Sequence, residues 1–473
     1  MRVRHVLKIK LDGDNFRRRL VRALFDLGGE YKPLAKPKGE LLYGRPEKPG
    51  FHRPSEVAEW ELNSEAIRFA LIPRDSVEAA LRSAGLPAEF SGHKEQTGAR
   101  NGYVRRYAVA VFNLRALTVV PVQAPSTMPL PGAGGQPDPA SPLWRRLEKT
   151  AVRALYTFGL DFGEAVIRAG EEGCFTIENL NTSPTCGGTR DVTFFAEAMA
   201  GLLRELEEAD ERISERLIGM DPEFLLYNGK TKKVVQASRY LGRQGIAGCD
   251  ILRYRGRRLF PVAELRPEPG REPRDAAREL LRAFRAAKSA ITDGELLWLA
   301  GGMPQRGFPL GGHLHFSGVP LTGELLRTFD NYLALPTALL EDSRSAGRRP
   351  QYGFLGDFRR KDYGGFEYRT LPSFLISPLV AKGVLGLAGL ILKDYRLLRR
   401  RPLHEVAVRE AFYHARKEVL RKVWPELAKD IAASPGYPEY AEYIAPFLEA
   451  IRSGRVWDES ADIRRPWKLQ TDS

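Results

Sequence analysis

Apolar positions along the chain change period repeatedly, and each change predicts an element. Val6 to Lys10 alternates as a strand does, and from Asp14 the period lengthens to that of a helix reaching Phe25 and stopped by Gly28-Gly29. Residues 32–55, dense in Pro, Gly and Lys, read as loop. Trp60 to Leu71 holds strand-like patches, and Asp75 is expected to cap a helix through Ser83. Polar residues fill 90–102. Tyr103 to Val122 then predicts a hairpin turning at Asn113, followed by a Pro- and Gly-rich loop over 124–140. Ser141-Pro142 has cap and first-turn proline in the order a helix start requires, and Gly159 ends that helix. Val166 and Phe175–Glu178 read as strands, and Asp191 to about Leu217 as a long amphipathic helix leading to a second domain.

Beyond Gly219 the pattern becomes strand-rich. Phe224–Tyr227, the Asn228-Gly229 turn and Lys233–Val235 predict a hairpin. Further strands are expected at Leu259–Leu265, around His313 and around Phe366. Helices are expected at Pro273–Ala290, Thr322–Leu335, Leu379–Leu398, Leu403–Ala432 and Tyr440–Ile451.

A chain of 473 residues exceeds one ordinary core, so two domains are expected, divided at 205/206. Hydrophobic residues make up 43% of it, which suits a folded rather than a disordered protein. The net charge of +14 points to an anionic partner such as a nucleotide, an acidic substrate or nucleic acid. Three cysteines, Cys174, Cys186 and Cys249, form no CxxC pair, which argues against a disulfide or zinc framework. The first residues lack the apolar stretch of a signal peptide. The most apolar run, Leu379–Leu392, is broken by Lys382 and is shorter than the about 20 residues that span a bilayer. A cytoplasmic protein is expected.

The chemistry gathers between Gly311 and Ser373 and in two earlier segments. His313 and His315 are two apart, as are Glu367 and Arg369, so on strands each pair shares a face. Asp221 and Glu223 are placed alike, and Glu264 stands in a further strand. A lone strand-end carboxylate or a single HxH is usually incidental surface chemistry, but four such segments in succession are not. If they join one antiparallel sheet, four carboxylates repel one another unless cations lie between them. Two or more Mg2+ or Mn2+ ions bridging the phosphates of ATP would resolve this. The intervening run, Arg344, Arg348, Arg349, Arg359, Arg360 and Lys361, is suited to gripping phosphate oxygens. Asp250 is a further acid, equally readable as a turn residue.

The words Met220-Asp-Pro-Glu-Phe, Ala263-Glu-Leu-Arg-Pro, Gly312-His-Leu-His-Phe-Ser-Gly and Gly365-Phe-Glu-Tyr-Arg-Thr-Leu-Pro-Ser resemble those of the glutamine synthetase and glutamate–cysteine ligase superfamily. Within it they are most similar to the phage-type carboxylate–amine ligases of type 2. The resemblance covers residues 219 to about 400. It implies an α+β fold over 206–473, a curved antiparallel sheet with flanking helices. It also implies ATP- and Mg2+-dependent formation of an amide or isopeptide bond through an acyl phosphate. Carried over, Asp221, Glu223, Glu264, His313 and Glu367 are metal ligands. His315, Arg348, Arg349 and Lys361 meet the nucleotide, and Arg369, Arg344 and Arg359 act on the transferring phosphate. Small-molecule or peptide acids and amines are the implied substrates, and an oligomer is compatible. Within residues 1–205, Leu155 to Pro184 more weakly resembles the end of an α+β ATP-grasp domain, either working or degenerate and substrate-holding, through Phe158-Gly-Leu-Asp-Phe-Gly and Glu178-Asn-Leu-Asn-Thr-Ser-Pro. That resemblance implies magnesium at the Glu178–Asn181 strand end, although the spacing departs from the family's by one residue. Two other readings stay open: a phosphotransferase of guanidino-kinase type on the same sheet, and a non-catalytic basic protein binding nucleic acid. No recognised nucleic-acid motif accompanies the Arg396–Arg401 run.

Overall fold

The computed structural model describes residues 4–11, 14–34, 40–46, 57–90, 105–122, 136–170, 173–185, 188–254 and 257–469. Cys186, the polar stretch after Phe90 and most of the 124–140 loop lie outside them. The chain divides into two compact units, Met1–Glu211 and Arg212–Ser473.

The first unit holds two four-stranded sheets. One is built from β1 (Arg4–Lys10), β2 (Lys32–Leu34), β3 (Glu40–Gly44) and β4 (Val57–Leu62) in the order β2-β3-β1-β4, with α1 (Asp14–Asp26) between β1 and β2. β2 and β3 replace part of the loop expected over 32–55. Leu41, Leu42 and Tyr43 bury there despite the surrounding Pro and Gly, and Pro33 is tolerated because β2 is an edge strand. α2 (Ala66–Ala70) replaces the strand pattern expected after Leu62, and α3 (Arg74–Ser83) follows. Asp75 lies in the first turn of α3 rather than at its cap, which is Pro73. The second sheet contains β5 (Arg105–Phe112) and β6 (Arg115–Val122), a hairpin turning through Asn113 and Leu114 at φ 41° and 65°. After α4 (Pro142–Thr157) come β7 (Phe162–Ala169) and β8 (Phe175–Asn181), giving the antiparallel order β6-β5-β7-β8. Ser141 caps α4 by accepting from Trp144 N at 3.1 Å, and Gly159 ends it at φ 72°. α5 (Gly188–Glu211) closes the unit, with Phe195 edge-on to Phe16 of α1.

The second unit is organised on β9 (Leu217–Asn228), long enough to change partners along its length. With β10 (Lys233–Val235), β11 (Ala247–Tyr254), β12 (Arg257–Leu265), β13 (Leu296–Leu299), β14 (Gly312–Ser317), β15 (Phe358–Arg360) and β16 (Phe366–Tyr368) it forms an eight-stranded antiparallel sheet. Its main order is β11-β12-β9-β14-β16-β15, and β10 and β13 pair the far end of β9, so the sheet curls. β13 and β15 are too short to show a period in the sequence.

The apolar face is covered by α6 (Pro273–Ala290) and by residues later in the chain. Phe224, Trp298, Phe284 and Trp467 stack in succession with centroids 4.8–5.7 Å apart. The helix expected over 322–335 is instead α7 (Gly323–Phe329), a π turn at Asp330–Ala334 and α8 (Leu335–Leu340). The widened turn places Asp330 to accept from Tyr368 Oη at 2.7 Å. After α9 (Pro378–Asp394), the helix expected over 403–432 is broken into a 3-10 turn at Pro402–His404, α10 (Val406–Tyr413) and α11 (Lys417–Ala433). Ala415, at φ 51°, interrupts it. α12 (Tyr437–Arg452) then packs on α9.

α9 is buried along nearly its whole length, which explains its apolar run. Among the described residues, no helix is long and apolar enough to cross a membrane. α12 approaches α9 through glycines: a Cβ on Gly383 would lie 2.3 Å from the Phe447 ring. Gly383→Ala is therefore expected to destabilise the unit by about 1–3 kcal/mol, read as a lowered denaturant midpoint, despite alanine's better helix propensity.

Candidate active site

Register brings the acids and imidazoles together on the polar face of the curled sheet. His313 lies directly opposite Asp221, His315 opposite both Gly219 and Glu367, and Glu223 opposite Glu264. Alternation sends Leu314 and Phe316 into the core and leaves both histidines on the polar face. Glycine before this strand is required: a Cβ on Gly311 would overlap the His313 ring at 2.3 Å.

Asp221 is the hub of one cluster. Its Oδ1 lies 3.0 Å from His313 Nδ1 and its Oδ2 3.0 Å from His315 Nε2. Burial opposes its ionisation, but the two imidazoles outweigh burial and hold its carboxyl below the usual range. His313 Nδ1 is also 3.3 Å from Glu367 Oε1. Glu367 is 1% exposed and is ringed by cations: Lys361 Nζ at 2.7 Å, Arg359 at 3.4 Å and a close contact from Arg369. Burial again resists its charge; Arg369, Lys361 and His313 hold the carboxyl low. Asp221, His315 and Glu367 each present a ligand atom, all within 4.8 Å of one another. Among the described residues they are the one such group of three. The histidine in it is His315 rather than His313.

Glu223 and Glu264 differ. The carboxylate of Glu223 accepts from Gly311 N at 2.6 Å and makes no ion pair among the described residues, although the buried Arg348 guanidinium is near enough to feel its charge. Burial and the neighbouring charges of Glu264, Asp221 and Asp250 push it up to about 8. Glu264 is raised too, by burial and Asp221, although Arg266 contacts it. Oxygen donors facing one another in a largely enclosed position, one without an ion pair, match what a hard divalent cation takes. The donor set therefore fits a metal.

The raised pair has a measurable consequence. Both carboxyls take a proton more readily folded than unfolded. Their contribution to stability is full below the ordinary glutamate value of 4.5 and fades as pH rises through the folded value near 8. In chelator, the melting temperature is expected to fall between about pH 5 and pH 8, less steeply in Glu223→Gln, and Mg2+ is expected to remove most of the fall. A melting temperature flat over this range would contradict the placement of the two acids.

The remaining arginines of the sequence pattern are placed elsewhere. Arg344 is half-exposed beside Asp342 and Asp458, at 3.8 and 3.7 Å. Arg348 is buried and donates to the carbonyls of Thr370 and Leu371, each at 2.8 Å, and of Arg369 at 3.3 Å. Arg349 is buried against Glu341 and over the Phe412 ring. Arg348 is near enough to Glu223 for the two charges to interact, but its hydrogen bonds go to backbone carbonyls, and Arg349 is taken up inside the fold by Glu341. The segment Arg344–Lys361 is anchored by them, and the exposed element beside Glu367 is the β15–β16 turn carrying Lys361 and Tyr363. Tyr363, whose hydroxyl is pushed up by burial and by Glu367 and Asp221, lies outside the motif words, and Arg266 stands in one of them but was given no role. Arg266 was visible in principle, two residues from Glu264; Tyr363 carried no signal. Asp250 lies close enough to raise both Glu223 and Glu264.

The model of the phage phiEco32-like COOH.NH2 ligase-type 2 family matches residues 218–469, more than half of the chain. No curated protein matches. Among solved structures, the bifunctional glutathione synthetase of Pasteurella multocida is similar at 12% identity and TM-score 0.34. That match covers 56% of this chain and 51% of the synthetase, so the chain spans about half the synthetase's length. The ligase PafA in complex with the prokaryotic ubiquitin-like protein Pup is similar at 11% identity and TM-score 0.32, over 52% of this chain and 65% of that one. The ATP-grasp ligase PsnB with its minimal precursor is similar at 14% identity and TM-score 0.26, over 42% and 99%. With the family match running from the strand of Asp221 and Glu223 to the end of the described residues, the chain belongs to the phage phiEco32-like COOH.NH2 ligase family of type 2.

Proposed function

We propose that the second unit joins a carboxylic acid to an amine at the expense of ATP, through an acyl phosphate. The observation that carries this reading is the half-buried Glu223, without an ion pair among the described residues and opposite Glu264, beside the Asp221–His315–Glu367 group and bordered by Arg359, Lys361 and Arg369. Asp221, Glu223, Glu264, His315 and Glu367 would hold Mg2+ or Mn2+, with His313 orienting Asp221. When bound, the ion supplies charge neutralisation for phosphate oxygens and a template that aligns them.

The acid's carboxylate oxygen attacks the γ-phosphorus of ATP and ADP leaves. The amine nitrogen then attacks the acyl carbon, phosphate leaves and the amine loses a proton. Arg359, Lys361 and Arg369, poised around Glu367, bind the phosphoryl oxygens as negative charge spreads, which is where phosphoryl transfer gains most of its rate. The exposed Lys361–Gly365 turn carries Tyr363 beside the same face and excludes water from the acyl phosphate. Arg348 and Arg349 support the segment rather than touching substrate, and Arg344 stands with them.

The test is ATP turnover with Mg2+ against a panel of amino acids, polyamines and peptides, with products read by mass spectrometry. Expected is ADP formation together with a product equal to acid plus amine less one water. A product carrying a phosphoryl group and no new amide would identify a phosphotransferase instead.

A further inference from the structure

The first unit lies outside the matched family, and its likeness to ATP-grasp domains implies a magnesium site at the end of β8. The residues there do not fit one. Glu178 sits at the irregularity in the β7–β8 pairing and is taken by Arg106 at 2.8 Å and Arg168 at 3.0 Å. Further along the same face, Asn179 donates to Asn181 at 3.3 Å, and Asn181 donates to Glu164 at 3.2 Å. Glu164, 1% exposed, also accepts from the Thr185 hydroxyl at 2.6 Å and its N–H at 3.1 Å. Among the described residues this leaves a single carboxylate, already bonded, where a hard divalent cation needs several oxygen donors.

What the unit does present is a cavity of about 360 Å³. One wall is apolar, from Phe69, Val77 and Phe90, and the other carries Asn179, Asn181 and Thr182. Arg74, an exposed residue, is its one charged lining residue among the described residues, too little for a triphosphate. β8 is the edge strand of its sheet. At Ile177 its outer side is paired by Pro87–Glu89, through Ile177 N to Pro87 O and Glu89 N to Ile177 O, both 2.9 Å. The cavity opens where that short pairing ends, at Phe90 on one side and Asn179 on the other. Carboxamides and hydroxyls beside a strand edge recognise amide groups, and the aromatic wall takes an apolar side chain.

We infer that this cavity binds an uncharged, extended peptide segment and is not a second magnesium–nucleotide site. The segment lies along the end of β8, its amides on Asn179, Asn181 and Thr182 and an apolar side chain against Phe69, Val77 and Phe90. The inference does not depend on the ligase reading, because it concerns a separate unit and binding alone.

The full chain is tested in two measurements. Equilibrium dialysis with Mg2+ and a non-hydrolysable ATP analogue counts nucleotide per chain. Saturation-transfer NMR with N-acetyl-leucyl-leucine amide reports peptide binding in wild type, in Asn181→Ala and in Ala70→Trp, which fills the rim from an exposed position. Expected is no more than one nucleotide per chain, unaffected by Glu164→Gln, and a peptide signal that Ala70→Trp abolishes without changing the nucleotide count. Two nucleotides per chain, one of them lost in Glu164→Gln, would overturn the inference. So would a peptide signal absent from wild type or undiminished in Ala70→Trp. A count of zero nucleotides would contradict the ligase reading, while the peptide signal would still decide this one.

Discussion

Glu223→Gln is expected to abolish turnover while leaving the protein folded, whereas Glu367→Gln loses both activity and stability. The contrast follows from what each carboxylate touches. Glu223 meets a backbone N–H and other acids, so a neutral amide of the same shape keeps the Gly311 hydrogen bond and relieves repulsion. The metal-free protein should melt no lower than wild type. An oxygen donor is lost, however, and with it several kcal/mol of charge stabilisation in phosphoryl transfer, a fall of about 10³-fold or more in rate. Glu367 is the shared counter-charge of Arg359, Lys361, Arg369 and His313. Glutamine there leaves several cations facing one another. Removing one member of a fully enclosed ion pair costs about 3–5 kcal/mol, and because Lys361 and Arg369 reach solvent the expected loss is about 2–4 kcal/mol. Urea unfolding and ATP turnover on the two variants check both halves. A Glu223→Gln enzyme as fast as wild type would refute the role given to that acid.

Glu341→Ala is expected to destabilise the second unit by about 3–5 kcal/mol and to act on turnover only through folding. Glu341 and Arg349 are each 2% exposed and meet at 2.5 Å, with the guanidinium carbon 4.3 Å from the centre of the Phe412 ring. Truncating the acid strands a buried guanidinium. Replacing both partners with apolar residues, Glu341→Leu with Arg349→Met, should recover most of the loss, since the desolvation of two charges is removed together. Chemical denaturation of the four proteins of this cycle measures the coupling directly. Equal destabilisation in the single and double variants would show that shape, not charge, holds the site.

The acidic trough was legible because period-two spacing puts Asp221 with Glu223, and His313 with His315, on one side of a strand whatever the partners are. That the strands share a sheet was not in the spacing; it was implied by the resemblance of the four words to a known family, and the register of β9, β12, β14 and β16 bears it out. The arginines were not legible in this way. Arg348 and Arg349 look like Arg359 in sequence, and only the carbonyls of 369–371 and the carboxylate of Glu341 decide that two of them turn inward. The breaks at Ala415 and at Asp330–Ala334 were equally hidden. Alanine favours helix, so the left-handed residue that splits α10 from α11 is imposed by packing. β2 and β3 were masked by the prolines and glycines around Leu41–Tyr43, since local turn chemistry outweighed a three-residue apolar run.

The most direct test is Mn2+ binding followed by electron paramagnetic resonance, on wild type, Glu223→Gln and Glu367→Gln, with and without an ATP analogue. The expected result is bound Mn2+ in wild type, tightened by the analogue, and weakened by at least about tenfold in each variant. Mn2+ bound equally by all three proteins, or by none, would contradict a cation-holding face on the curled sheet.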